Sequence, residues 1–216
     1  MKLYSYFRSS ASYRVRIALN LKGLPYDTVP IHLVKEGGKQ FSEEFRKVNP
    51  ASLVPALVVD ENSPPVTQSL AIIEYLDEMY PERALLPKNT ADKAFVRSLA
   101  LSIACEIHPL NNLRVLHYLM RNLKASEDGK NTWYRHWCEQ GLAALEATLA
   151  RDARVGTFCY GDSPSLADCF LVPQIFNAQR FTCDLSAMPT LMRINDACLR
   201  LEAFKKAAPE NQPDAE

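Results

Sequence analysis

The residues best suited to chemistry lie in Arg8-Ser9-Ser10-Ala11-Ser12-Tyr13-Arg14-Val15-Arg16-Ile17-Ala18-Leu19. Ala11, Val15, Ala18 and Leu19 recur at helical spacing, so a helix begins at the serines. The first N–H groups of a helix lack partners within it, and the helix dipole makes that end positive. Hydroxyls placed there, beside an arginine, suit an anion such as a carboxylate or a thiolate. A plainer role is equally open: Ser9 or Ser10 can simply cap the helix.

Two further places invite the same question. Val54-Pro55 enters residues 53–59, which read as an inner strand, where a proline is out of place. A cis bond there exposes the backbone of Val54 to a ligand, and an extended peptide could pair with it; an ordinary trans proline is the alternative. Gln68-Ser69 opens another helix, where Ser69 can cap or can hold a ligand carboxylate by the same geometry.

These residues must be placed by a regular frame. Residues 2–6 alternate as a strand, and Lys22-Gly23-Leu24-Pro25 stops the first helix. Residues 26–33 read as a second strand, with Pro30 marking an edge or a bulge. Residues 41–48 form a short helix that ends before Pro50. The third strand, a turn at 60–64, a short strand at 65–67 and a helix over 69–80 complete the order βαβαββα. Pro81 and Pro87, at the two ends of seven residues, mark a linker, and everything after it has helical period. Thr90 is positioned to cap the next helix, and Ser165-Leu166-Ala167-Asp168 is a capping box. The tail from Pro209 onward is polar and is expected to fray. The fold class is therefore an α/β domain over residues 1–82 followed by an all-α domain over 88–216.

The 216 residues carry 25 Lys+Arg against 25 Asp+Glu, so no strong field points to nucleic acid or to an anionic membrane surface. No apolar run is long enough to span a membrane, and the first residues do not read as a secretory leader, so the cytoplasm is expected. Cys105, Cys138, Cys159, Cys169, Cys183 and Cys198 are irregularly spaced with no C-x-x-C pair, which argues against a zinc or dithiol site and for buried free thiols. No metal is expected.

The serine-rich opening, Lys22-Gly23, Asn49-Pro50-x-x-x-Val54-Pro55 and Gln68-Ser69-Leu70-Ala71-Ile72-Ile73-Glu74-Tyr75-Leu76 resemble the zeta class of glutathione transferases. In the second half the resemblance runs through Ile107-His108-Pro109-Leu110-Asn111-Asn112, Gly161-Asp162-x-Pro164-Ser165-Leu166-Ala167-Asp168 and Ala178-Gln179-Arg180-Phe181. It implies the glutathione transferase fold: a thioredoxin-like N-terminal domain, a helical C-terminal domain, and a homodimer. The implied cofactor is glutathione. Val54 before a cis Pro55 pairs with its cysteinyl backbone, Gln68 and Ser69 hold its γ-glutamyl carboxylate, and His108 and Asn112 approach from the helical domain. Ser9 or Ser10 hydrogen-bonds its sulfur and favours the thiolate.

The implied activity is glutathione-dependent cis–trans isomerisation of a maleyl keto-acid, maleylacetoacetate or maleylpyruvate, in aromatic catabolism. The alternatives are conjugation or dehalogenation of small α-halo acids, and a binding module without activity. A dicarboxylate substrate calls for arginines, whose fork matches a carboxylate. Arg8, Arg114 and Arg180 are the candidates. Arg14 and Arg16 are assigned to solvation or interdomain pairing, and His32, His117 and His136 to structure. Two residues depart from the class: Ala11 stands where cysteine is common, so the sulfur nucleophile must come from glutathione, and Tyr13 replaces a tryptophan.

Overall fold

The computed structural model describes residues 1–60 and 62–216; Glu61, within the turn expected at 60–64, lies outside the described residues. The chain divides into two units, Met1–Leu85 with Leu199–Glu216, and Leu86–Cys198.

The first unit contains β1 (Lys2–Ser5), α1 (Ser10–Lys22), β2 (Asp27–Pro30), α2 (Glu43–Val48), β3 (Ala56–Val58), β4 (Val66–Thr67) and α3 (Ser69–Met79). This is the expected βαβαββα order. The sheet runs β2-β1-β3-β4, with β1 parallel to β2 and antiparallel to β3, and β3 antiparallel to β4. Leu3, Val15, Ile17, Leu19, Leu57, Ile72, Ile73 and Leu76 are fully buried between sheet and helices. A second cluster gathers Tyr6, Phe7, Ile31, Phe45 and Val54.

Strand β2 is shorter than the expected 26–33. After Pro30 the Ile31 N–H still reaches Ser5 O at 2.7 Å, but the His32 ring then turns the chain. Its Nδ1 accepts the N–H groups of Val34 (3.2 Å) and Lys35 (2.9 Å). These backbone groups are satisfied locally and leave the ladder.

Helix α1 is buried on nearly all sides, and of the two roles expected for Arg14 and Arg16, solvation or interdomain pairing, this overturns solvation. Both guanidiniums are buried, with Arg16 at 0% exposure. The cause is α9 (Glu202–Ala207), which packs on α1 within the first unit, while α3 also packs on it. Asn20 Nδ2 donates to Ala203 O and Arg16 Nε to Ala207 O, each at 2.9 Å. Residues 199–216, read from sequence as part of a helical domain over 88–216, thus group with the first unit. The tail does not fray: Gln212 Nε2 donates to Lys206 O and Ala208 O, and Glu216 pairs with His32 and Lys35. At the other end of α1, Gly23 adopts φ +69 and closes the helix, as Lys22-Gly23 suggested.

The second unit holds α4 (Thr90–Leu101), a π-turn (Ser102–Ile107), α5 (Leu113–Arg121), α6 (Glu127–Leu149), α7 (Leu166–Arg180) and α8 (Pro189–Leu199). Asn89, not Thr90, caps α4, because its Oδ1 accepts the N–H groups of Ala91 and Asp92. The capping box is present: Asp168 Oδ2 accepts from both Ser165 N and Ser165 Oγ at 2.8 Å. Its Oδ1 accepts Cys159 N at 2.9 Å, so one buried carboxylate joins the preceding loop to α7. Gly141 on α6 admits the π-turn, since a Cβ there would meet Ile107 at 2.4 Å. Cys138, Cys159, Cys169 and Cys198 are buried as expected, but Cys183 is half-buried and Cys105, on the π-turn, is exposed. Among the described residues no helix is long and apolar enough to cross a membrane.

Candidate functional site

Ser9 is the N-cap of α1: its Oγ accepts the N–H of Ser12 at 3.2 Å. The plain role is thus real, but it does not use up the group. A hydroxyl accepts through oxygen and still has its own proton to donate. Ser9 is half-buried and Ser10 is buried at 5% exposure, so Ser9 presents the more accessible hydroxyl. Arg8 is exposed, with its guanidinium carbon 4.8 Å from the centre of the Phe7 ring.

The turn carrying Arg8 is held from several sides. Ser9 N–H donates to Tyr6 O at 2.9 Å, closing the turn around Phe7 and Arg8. Arg16 reaches it from within α1: Nη1 donates to Ser5 Oγ (3.1 Å) and Tyr6 O (3.4 Å), and Nη2 to Phe7 O (3.0 Å). Burial pushes the Arg16 guanidinium down to about 10, while Tyr26, Tyr13 and Asp214 act in the opposite direction.

The start of α3 differs from the expectation that Ser69 is its cap. Gln68 is the N-cap residue, at φ +69 and ψ 119, and it makes no side-chain cap bond. A non-glycine residue held at such an angle costs on the order of 1–3 kcal/mol and is typical of ligand clamps. Ser69, the first helical residue, is buried at 6% exposure and its Oγ accepts from Arg14 Nη1 at 3.2 Å. A helix N-terminus without a side-chain cap, beside a serine braced by a guanidinium, has the charge and the donors that suit a carboxylate. The Val54–Pro55 bond is cis, directly before β3. Arg8, Ser9, Ser10, Val54, Pro55, Gln68 and Ser69 thus all belong to the first unit, and Arg14 connects the helices that carry two of their groups. The donor set fits glutathione, a peptide with a γ-glutamyl carboxylate, an extended backbone and a thiol.

The remaining candidates belong to the second unit. His108 follows the π-turn, and its N–H donates five residues back to Ile103 O at 2.9 Å. Such π-turns recur at functional positions. Asn112 caps α5, with Oδ1 accepting Arg114 N at 3.1 Å, so its amide nitrogen is the part left for a ligand. Arg114 and Arg180 are exposed; the Arg180 guanidinium lies 5.0 Å from the centre of the Phe181 ring, which stacks on Tyr134 at 3.6 Å. His136 packs edge-on against Trp137 at 4.9 Å, and burial with the charges of Arg121 and Lys130 holds His117 below its ordinary value.

Sequence reasoning missed the roles of Arg14, Arg16 and Asp214. Asp214 Oδ2 accepts the Phe7 N–H at 3.0 Å from a tail that periodicity leaves unassigned. The available signal was a pair of arginines inside a helix whose neighbours are otherwise apolar.

The family descriptions "Glutathione S-transferase, N-terminal domain" and "Glutathione S-transferase, C-terminal domain" match residues 8–79 and 138–203. A probable maleylacetoacetate isomerase of Vibrio cholerae is 51% identical over 213 residues, covering 99% of this chain and 97% of that protein. A solved maleyl pyruvate isomerase, described as a bacterial zeta-class glutathione S-transferase in its holo form, superposes with a TM-score of 0.95 at 46% identity over 100% of both chains. The maleylacetoacetate isomerase of Anaeromyxobacter dehalogenans, solved with dicarboxyethyl glutathione and citrate in its active site, gives a TM-score of 0.87 at 42% identity, covering 100% of this chain and 97% of that one. The chain belongs to the glutathione transferase family, in its zeta class.

Proposed function

We propose that this protein is a glutathione-dependent cis–trans isomerase of a maleyl keto-acid, maleylacetoacetate or maleylpyruvate, in aromatic catabolism. The observation that carries the reading is the Arg14–Ser69 hydrogen bond at the uncapped start of α3, in the same unit as the hydroxyl-rich start of α1. It supports a site that holds a carboxylate while a serine donates to a sulfur. The relatives described above carry the names of such isomerases, and one holds dicarboxyethyl glutathione and citrate in its active site.

Glutathione, when bound, supplies a thiolate that adds to the cis double bond, letting the carbon–carbon bond rotate before the thiolate leaves again. Ser9 donates its hydroxyl proton to the sulfur while its oxygen stays committed to the Ser12 N–H, and Ser10 lies next to it. This donation favours the ionised thiol. Gln68 and Ser69 hold the γ-glutamyl carboxylate, and Val54 offers its backbone before Pro55. Arg8 holds a substrate carboxylate and stabilises negative charge growing on the keto oxygen. From the second unit, His108 and Asn112 are assigned to glutathione and Arg114 and Arg180 to substrate carboxylates, as class membership implies. In this reading the enzyme is a cytoplasmic homodimer.

The test is a parallel isomerisation assay with maleylacetoacetate and maleylpyruvate, with and without glutathione, following loss of enol absorbance. Glutathione-dependent turnover of one acid is expected. Turnover of neither, with glutathione bound, rejects the isomerase reading in favour of conjugation or dehalogenation.

A further inference from the structure

Phe7 immediately precedes Arg8 and Ser9, and its peptide is gripped from both ends. Its N–H donates to Asp214 Oδ2 at 3.0 Å, across 207 positions of sequence. Its C=O accepts from Arg16 Nη2 at 3.0 Å. Arg16 in turn donates through Nε to Ala207 O, so the helix leading into the tail and the loop before the serines are bound to one guanidinium. The other carboxylate oxygen of Asp214, Oδ1, is buried and has no hydrogen-bond partner among the described residues. Burying a carboxylate oxygen without a partner is costly. A residue chosen only to fasten the tail could do so without that cost. Glu216, two residues on, fastens it at an exposed position through His32 and Lys35.

We propose that Asp214 is a positioning residue for the thiolate site: with Arg16 it fixes the Phe7 peptide and so sets where the Ser9 hydroxyl and Arg8 stand. The inference rests on the assignment of Ser9 to the glutathione sulfur. The closed turn carries the effect: Ser9 N–H is bonded to Tyr6 O, which lies in the same peptide plane as the Phe7 N–H held by Asp214, so rotation of that peptide moves Ser9. Small displacements of a donor from a reacting atom are enough to lower its effect severely.

The sign of the response separates positioning from charge. Removing a negative charge near the site favours a thiolate and lowers the thiol pKa. Losing the grip on Ser9 removes a donor and raises it. Asp214→Ala loses the acceptor, whereas Asp214→Asn keeps an oxygen that can accept from Phe7.

The experiment is an ultraviolet titration of the thiolate of glutathione bound to wild type, Asp214→Ala, Asp214→Asn and Glu216→Gln. It is read beside kcat, the KM for glutathione, and hydrogen exchange of the Phe7 amide. Asp214→Ala is expected to raise the thiol pKa by about one unit, with kcat down roughly tenfold at neutral pH and KM little changed. Asn and the Glu216 variant are expected to stay near wild type, and Phe7 exchange to quicken only in the alanine variant. A wild-type titration in Asp214→Ala, a downward shift, or an equal upward shift in Glu216→Gln overturns the proposal. If the alanine variant does not fold, Asp214→Glu takes its place in the full chain: it keeps the charge and displaces the acceptor, so the same upward shift is expected, and a wild-type titration overturns the proposal. Absence of isomerase turnover in wild type rejects the proposed reaction alone. The thiol titration and the Phe7 exchange still decide the role of Asp214.

Discussion

Arg14 Nη1 donates to Ser69 Oγ at 3.2 Å, joining the first helix to the start of the third across 55 positions of sequence. Both residues are buried, at 2% and 6% exposure. Because the Ser69 oxygen accepts from a guanidinium, its own proton is left to donate outward. The pair therefore acts as one device: a cation that orients a hydroxyl at a positive helix end.

Replacing Arg14 with Met is expected to weaken glutathione binding about tenfold, the scale of a hydrogen bond to a charged group. Ser69→Ala is expected to do the same, and the double variant to lose little more than either single one. Calorimetric titration with glutathione measures all three. Additive losses mean that Arg14 acts elsewhere.

Arg8 is exposed and rests on the Phe7 ring, with no ion pair among the described residues, which suits a group that takes a ligand carboxylate. Arg8→Ala is expected to lower kcat/KM for the maleyl acid about a hundredfold, roughly the loss of one well-placed charge partner. Its KM for glutathione is expected to change less than about threefold, as befits a group that meets the substrate alone. Equal damage to both parameters removes Arg8 from the substrate side.

Lys22 holds the far end of the first unit together. Its Nζ donates to Asp77 Oδ1 at 2.7 Å and to Arg83 O at 2.9 Å, while Asp77 Oδ1 also accepts the Leu85 N–H. The two side chains are 1% and 10% exposed. Lys22→Met leaves the aspartate buried without its cation, which costs about 3–5 kcal/mol. For a chain of this length that is a fall in Tm of roughly 10 °C. Thermal unfolding by circular dichroism checks it; a fall of only a degree or two shows that water takes the place of the lysine.

The elements that carry the site were legible because their signals are local. The α1 periodicity, the Ser9 cap, the Gly23 stop and the Ser165–Asp168 capping box are short-range features, and each is present. The cis state of the Val54–Pro55 bond came from the family resemblance alone, because locally cis and trans differ by only about 0.5–1 kcal/mol before tertiary packing decides. The roles of Arg14 and Arg16 were hidden for a different reason. Arginines in a helix are ordinarily solvated, and only long-range packing buries these two: α3 brings Ser69 to Arg14, and α9 brings Ala207 O to Arg16. The same long-range docking pins Asp214 onto Phe7, where composition alone describes a polar tail. The backbone angle of Gln68 has no signature in its own residue type, since Gln is not a residue that favours positive φ.

The cysteines offer a last test. Cys138 accepts from Gln174 Nε2 at 3.3 Å, and its hydrogen bond with Cys183 is the largest influence on both thiols. That bond, with burial added to it, pushes Cys138 up; the same bond draws Cys183 down against the effect of its own burial, so the proton stays on Cys138 and Cys183 ionises more readily. The thiolate is the reactive form, so alkylation speeds up as pH rises through the pKa. The pH–rate curve of Cys183 with iodoacetamide is therefore expected to have its midpoint below the ordinary value of 9.0. Cys138→Ala removes the donor, and the curve is expected to move to higher pH, slowing Cys183 at pH 7 several-fold. Cys105, exposed on the π-turn of the second unit, serves as the internal reference, and its labelling rate is expected to be the same in both proteins. Peptide mapping after timed labelling reads both sites in one experiment. A Cys183 curve that does not move shows that Arg135, which also lowers its pKa, suffices without Cys138.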